Sequence, residues 1–383
     1  MKKIWILTIG MLALGMDAYI VAGLLPEMSK SFNKSSSEIG QGVTVFTLLF
    51  AISAPLFSIL LAKRQVKHIL IIAISIFALA NLITAFSPNY PIYIFSRSIA
   101  GLGAGVFSPI AISSSSQLVS SSHKGKAVAF TVAGMSIGTV IGVPLGLEIS
   151  KIASWRIAML IIVLISILAL ISILIYMPTF KVQAPPDLKY RFKLFNNINV
   201  IRIVSVTLCA SIASLGLYTY LADIIKANGN FDNLVFYLSA WGIGGLIGSL
   251  SIGYVIDKFK NTRLLMFIIL LTLIISFVLI IIVIKIPILS FLPFILWGAM
   301  GWSTQAPQQY ILLHNYKEHG SAAVALNSSI NYLGSAIGSA IGGLILFTSN
   351  NVLYLIYGAI LIAFIGVIIQ IINILNTKSN NSS

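Results

Sequence analysis

Asp17 is the one carboxylate well inside an apolar stretch of this 383-residue chain, within the run from Ile4 to Pro26. A lone acid in such surroundings has two chemical uses: it holds a cation, or it takes up and releases a proton. A basic partner is available in Arg97, inside the apolar run 91–117. At about 1.5 Å per helical residue, Asp17 stands about 20 Å from the Ile4 end and Arg97 about 9 Å from the opposite, Pro91 end. In a layer about 30 Å thick these depths coincide. Burial disfavours the carboxylate and a guanidinium favours it, so a small change of surroundings changes its protonation. The spacing makes Asp17 a proton-binding group and Arg97 its tuner. The same residues also fit a fixed structural ion pair, or an arginine that snorkels to the outer surface.

The elements that position this pair follow from composition. The chain is 58% hydrophobic and 9% charged, whereas soluble domains are about 25% charged. Runs such as Ile157 to Met177 and Leu264 to Ile284 contain no charge and match the roughly 20 residues a helix needs to cross a bilayer; barrel strands would be half as long and would alternate. Apolar stretches fall at 4–26, 40–62, 67–87, 91–117, 124–150 and 157–177, then at 199–225, 233–256, 263–284, 288–313, 320–348 and 352–376. The expected fold is therefore an all-α integral membrane protein with twelve transmembrane helices in two pseudo-symmetric six-helix bundles. Residues 1–177 form the first bundle, 178–198 a cytoplasmic linker marked by Pro185-Pro186, and 199–383 the second bundle. Met1-Lys2-Lys3 could open a signal peptide, but Asp17 interrupts the run and further spans follow, so the first helix is expected to be retained.

The net charge of +15 sits in short loops and reads as a topology signal, not as a nucleic-acid surface. One alternating set of ends holds Lys2, Lys3, Lys63, Arg64, Lys67, Lys124, Lys126, Lys181, Lys189, Arg191, Lys193, Lys258, Lys260, Arg263, Lys317 and Lys378. The other holds Lys30, Lys34, Lys151, Lys226 and Lys285, which puts both termini in the cytoplasm. Cys209 is the single cysteine, so an intramolecular disulfide and a thiolate metal cluster are excluded. His68, His123, His314 and His319 lack metal-ligand spacing. Neither a P-loop nor a nucleophile elbow is present, so ATP hydrolysis and hydrolase chemistry have no support.

The halves repeat. Val128, Gly138, Gly142 and Gly146 of the fifth stretch correspond to Val324, Gly334, Gly338 and Gly342 of the eleventh at an offset of 196 (334 minus 138). Ser58 and Gly253, at matching loops, lie 195 apart (253 minus 58). The second of these loops, Gly253-Tyr254-Val255-Ile256-Asp257-Lys258-Phe259-Lys260, resembles the GxxxD(R/K)xGR signature of the major facilitator superfamily, with Lys260 where the family has its second Gly. Its first-half counterpart, Ser58 to Gln65, has lost more: Ala62 replaces the Asp and Gln65 the second Gly. Arg97, Gly101, Gly103 and Gly105 resemble the family's RxxxGxG pattern, and four-residue spacing puts Arg97, Gly101 and Gly105 on one helix face. Gly138, Gly142, Pro144 and Gly146, with Gly134 before them and Trp155-Arg156 after, resemble the GxxxGPxxGG antiporter signature in the GVPLG form of bacterial drug, sugar and nucleoside exporters.

On these motifs the chain is identified as similar to the twelve-helix drug:proton antiporters of that superfamily. The resemblance implies two bundles rocking about a central site, export of small organic molecules driven by inward proton flow through a bacterial cytoplasmic membrane, no cofactor and no enzyme activity. It also implies conformational roles for Gly101, Gly105, Gly138, Gly142, Pro144, Gly146, Gly253, Asp257 and Lys258. Polar or aromatic groups within apolar stretches are the candidate substrate contacts: Tyr19, Tyr218, Tyr220, Trp241, Trp297, Gln305, Gln308, Asn327 and Asn331. Partners are then the lipid bilayer, protons and a small-molecule substrate, with nothing in the sequence demanding more than a monomer. A proton-coupled importer and a non-transporting membrane sensor are the competing functions.

Overall fold

A computed structural model describes residues 4–60, 64–120, 123–181, 194, 196–229, 233–259, 261–316 and 320–381. Ala62, Lys63 and Lys260 of the loop signatures lie outside the described residues, as do positions 182–193 and 195 of the 178–198 linker. The apolar stretches fold as helices because hydrocarbon offers backbone N–H and C=O groups no partner beyond their own segment. In chain order these are α1 (Trp5–Phe32), α2 (Ser36–Leu60), α3 (Val66–Phe86), α4 (Tyr90–Ser115), α5 (Lys124–Ile152), α6 (Trp155–Tyr176) and α7 (Ile198–Thr219). There follow α8 (Leu221–Ala227), α9 (Leu234–Lys258), α10 (Thr262–Val283), α11 (Leu292–Ser303), α12 (Gln305–Asn315), α13 (Gly320–Ser349) and α14 (Leu353–Asn381).

Eleven of the described helices are long and apolar enough to cross a bilayer. The tenth stretch is α11 followed by α12, its hydrogen-bond ladder interrupted at Thr304, whose φ of −63° and ψ of −31° remain helical. Pro307 has no N–H to give the Ser303 carbonyl four residues back, and its ring crowds that carbonyl, which accounts for the interruption. Pro144 does the same to Val140, and α5 adjusts by winding Gly138–Gly142 as a π-helix. Side chains start several helices by accepting otherwise orphaned N–H groups: Asn89 from Ile92, Ser154 from Arg156, and Asn261 from Leu264. Ser35 and Glu38 form a reciprocal capping box before α2.

The chain divides into two compact units, Met1–Pro185 and Pro186–Ser383. Within the first, α1 packs on α5 and α6, α4 on α2 and α3, and α3 on α6. Within the second, α7 packs on α13 and α14, α11 on α9 and α10, and α10 on α14. The pattern is the same in both. The ends repeat it too: Lys67 Nζ at the start of α3 donates to the Leu174 carbonyl in the last turn of α6 (2.7 Å), and Arg263 Nη1 at the start of α10 donates to the Asn373 carbonyl late in α14 (2.9 Å). Leu174 lies in the last turn of α6, at the negative end of that helix, Asn373 about two turns before the end of α14, and the two cations are 196 residues apart (263 minus 67). The outward faces stay apolar, with Leu79 58%, Leu250 75% and Phe347 73% exposed, as lipid contact requires.

Helices meet closely where side chains are absent. A Cβ on Gly338 of α13 would stand 2.7 Å from the Gly216 Cα of α7, whereas one on Gly253 of α9 would meet nothing within 4 Å. Gly338→Leu is therefore expected to lower the thermal unfolding midpoint in detergent by several degrees, an overpacking cost of about 1–3 kcal/mol. Gly253→Ala should leave it unchanged or slightly raised.

Candidate functional site

The first unit encloses a charged pair. Asp17 on α1 and Arg97 on α4 are both buried, at 0% and 1% exposure, and Arg97 Nη1 donates to Asp17 Oδ1 at 2.7 Å. The same Nη1 also reaches Asn81 Oδ1 on α3 at 3.3 Å. The guanidinium lies over the Phe46 ring of α2, 4.5 Å from its centroid, where the ring's negative face attracts a cation. Four helices thus converge on one group. The pairing is one-pronged: Asp17 Oδ2 and Arg97 Nε are buried without a hydrogen-bond partner among the described residues. A fork-to-fork pair would use both carboxylate oxygens and lock the geometry; here one oxygen stays open to a proton.

Close helix contacts hold the pair in place. A Cβ on Gly101 would strike the Phe46 carbonyl, one on Gly105 the Ser53 hydroxyl and the Phe50 carbonyl, and one on Gly103 the Ala73 carbonyl. α4 therefore sits tightly on α2 and α3 beside its own Arg97. The glycine stripe of α5 does the same for α1. Gly138 faces the Leu12 carbonyl and the Met16 N–H, Gly142 the Met16 side chain at 3.1 Å, and Gly146 the Met16 and Ile20 side chains. Thr139 Oγ1 donates to the Gly15 carbonyl at 3.2 Å. The stripe, with Pro144 and its π-turn, is thus seated on the turns of α1 that flank Asp17. Tyr19, half-buried, lies two residues further along α1.

The other candidate residues fall into three groups in the second unit. Tyr218, Trp241 and Trp297 are buried against one another, with Tyr218 and Trp241 centroids 4.1 Å apart, and Trp297 Nε1 donates to Ser214 Oγ at 2.9 Å. These rings fill the core of the unit, and Tyr220 secures α13 by donating to the Ser339 carbonyl at 2.8 Å. A polar chain joins α7, α12 and α13: Thr207 Oγ1 donates to Asn327 Oδ1 at 2.7 Å, and Asn327 Nδ2 donates to Gln305 Oε1 at 3.2 Å. Gln308 Nε2 donates to the Ile203 carbonyl at 3.2 Å, while Gln305 Nε2 and Gln308 Oε1 stay buried without partners among the described residues. Asn331 takes part through its main-chain carbonyl, which accepts from Ser211. Gly253, Asp257 and Lys258 are exposed at the end of α9; Lys258 lies over the Tyr254 ring, and Asp257 forms no ion pair among the described residues.

Asn81 and Phe46 escaped the sequence reading. Asn81 is an amide inside the charge-free part of the stretch 67–87, and the criterion that selected Asn327 and Asn331 would have selected it. Phe46 carried no such signal, since one Phe among many in apolar stretches has nothing to distinguish it before the helices are packed.

Residues 7–339 match the family model described as Major Facilitator Superfamily. An uncharacterized MFS-type transporter, YbcL of Bacillus subtilis (strain 168), is 29% identical over 353 residues, which is 89% of this chain and 88% of that protein. A chloramphenicol resistance protein of Streptomyces lividans is 21% identical over 261 residues, 67% of each chain. Among solved structures, a D-xylose-proton symporter superposes with a TM-score of 0.80 at 17% identity, covering 97% of this chain and 96% of that one.

Removing one member of a buried pair strands the other. Arg97→Leu is expected to destabilise the protein by up to about 3–5 kcal/mol, and the double variant Asp17→Leu/Arg97→Leu by much less. Denaturant titration in detergent measures both together with Asp17→Leu alone; a double-variant loss equal to the sum of the two single losses would mean that the two side chains are not coupled.

Proposed function

The chain belongs to the major facilitator superfamily and is a membrane transporter, not an enzyme; on that premise we propose that it exports small organic molecules in exchange for protons. It is a multi-pass protein of a bacterial inner membrane. Asp17 is the proton site of this reading and Arg97 its tuner. The observation that carries it is the one-pronged pair: a carboxylate sealed from water, held by one cation through one oxygen, with Oδ2 open. Ionised, Asp17 holds Arg97 tightly and ties α1 to α4. Protonated, it loses most of that attraction, so α1 is free to shift against its neighbours. A change of protonation thereby becomes a change in helix packing, which is what coupling proton movement to alternating access requires.

The glycine stripe of α5, seated on α1 around Asp17, supports antiport through its resemblance to the exporter signature, and the chloramphenicol resistance protein supports export of drug-like molecules. Gly101, Gly105, Gly138, Gly142, Pro144 and Gly146 serve as the surfaces along which the helices move. Gly253, Asp257 and Lys258, in the last turns of α9, are the residues assigned to holding one conformation. Substrate contacts fall to Tyr19 and to the second-unit groups Tyr218, Tyr220, Trp241, Trp297, Gln305, Gln308, Asn327 and Asn331. Among these, the unpartnered amide atoms of Gln305 and Gln308 offer one donor and one acceptor.

Cells with and without the gene, exposed to a panel of compounds, identify a substrate by the difference in tolerance. Purified protein in liposomes with an imposed pH gradient then reports coupling. Substrate and protons are expected to move in opposite directions, and Asp17→Asn should abolish uphill transport while leaving the protein folded. Movement in the same direction would establish symport. Undiminished uphill transport by Asp17→Asn would remove that residue from the mechanism.

A further inference from the structure

Protonation of Asp17 creates a problem for its partner. Arg97 is fully charged at any physiological pH and is buried; once Asp17 is neutral, the guanidinium has lost its anion. A buried cation without a counter-ion is strongly disfavoured, and protonated Asp17 leaves it only a neutral oxygen, so the protonated state depends on what else holds Arg97. Asn81 is placed to do so. It is 0% exposed, and its Nδ2 is committed to the Phe77 carbonyl of its own helix at 3.1 Å, which turns Oδ1 towards Arg97 Nη1 at 3.3 Å. The opposite orientation would set an amide donor against a guanidinium donor. An amide oxygen is also the right chemistry, since it accepts from the guanidinium but does not compete with Asp17 for the proton.

We propose that Asn81 is the third member of this site, a positioning residue that retains Arg97 Nη1 when Asp17 is protonated and so sets how readily Asp17 binds its proton. The inference rests on the reading of Asp17 as the proton site. Asp17 and Asn81 share one donor atom, so the guanidinium changes its principal acceptor without leaving its place over the Phe46 ring. The charged and titratable groups around Asp17 are few. From α4 they are Arg97 and Tyr93, whose hydroxyl donates to the Ile39 carbonyl at 3.0 Å. Among the described residues of α1 itself, Tyr19, Glu27 and Lys30 follow. Charged residues of the other helices packed on α1 stand towards helix ends: Glu38 on α2, Lys124, Lys126, Glu148 and Lys151 on α5, and Arg156 on α6. From α3 the group that reaches the pair is the uncharged Asn81.

The proposal is tested without a substrate. Infrared titration of the purified full-length protein between about pH 3 and pH 10 follows the carbonyl stretch of carboxylic acid, and the Asp17 band is assigned by its absence in Asp17→Asn. Asn81→Leu removes the alternative acceptor and penalises the protonated state most, so the Asp17 midpoint should fall by about one pH unit or more, a tenfold loss of proton affinity. Asn81→Asp is nearly isosteric and guards against a variant that fails to fold. It sets two carboxylates on one guanidinium, so the midpoint at which the first carboxylic acid forms should rise. Unchanged midpoints in both variants, or shifts of the same sign, overturn the role of Asn81 while leaving Asp17 as the proton site. A wild-type protein with no titrating Asp17 band overturns the proton-site reading, and this inference with it.

Discussion

Hydrocarbon supplies no hydrogen bonds and exerts no hydrophobic force between helices, so a chain of this composition is held together by close packing and by the few polar groups it can satisfy internally. Every helix closes its own backbone ladder, and the helices then adhere only where their surfaces match. That explains why glycines recur at the crossings described above: Gly101 and Gly105 on α2, Gly138 and Gly142 on α1, Gly216 on Gly338. Gly101, Gly138 and Gly216 bring two backbones within dispersion range, and Gly142 makes room for the Met16 side chain. It also explains why buried polar groups are paired so economically. Some Thr and Ser hydroxyls fold back onto their own helix carbonyls, as Thr47, Thr131 and Ser166 do, while Thr84, Thr139 and Thr207 join one helix to another.

Against that background the Asp17, Arg97 and Asn81 cluster is costly, and on the reading proposed above its cost is what makes it useful. Two opposite charges in a low dielectric interact far more strongly than at a surface, so adding or removing one proton alters the attraction between α1 and α4 more than any apolar rearrangement would. The surrounding contacts limit how that change is used. The glycine faces bring α4 close to α2 and seat the Met16 and Ile20 side chains of α1 on α5. The π-turn Gly138–Gly142, beside Pro144, gives α5 a point of altered winding next to Asp17. A rigid ion pair set in interlocked aromatic packing would have the same charges but no means of responding to them.

The two units are built on one pattern and differ in chemistry. The first carries the buried ion pair seen among the described residues. The second carries a core of tryptophan and tyrosine rings around Trp297 and an uncharged amide and hydroxyl chain from Thr207 to Gln305. The winding defects also differ: the π-turn lies on α5 in the first unit and on α7, at Ile212–Gly216, in the second. These are the two partners of the same repeated crossing, α1 with α5 and α7 with α13. Duplication accounts for the shared packing and divergence for the division of chemistry.

Much of this was legible in the chain by itself. Hydrophobic runs of bilayer length, an offset of 196 between matching glycines and the isolation of Asp17 in an apolar stretch are one-dimensional properties, and they determined the helical class, the repeat and the candidate acid. The depth of Arg97 followed as well, since a fixed rise per residue converts sequence position into height. Azimuth does not follow. Which helix neighbours which, and which face each turns inward, depends on packing among residues far apart in sequence. That left to the tertiary structure the placing of Asn81 and Phe46 around the same guanidinium, the one-pronged geometry of the pair, the seating of the α5 stripe on α1 and the burial of Trp241 and Trp297 against each other. The interruption at Thr304 falls in a stretch read as continuous, 288–313: Pro307 lacks a backbone donor, yet the dihedrals of Thr304 stay helical across it.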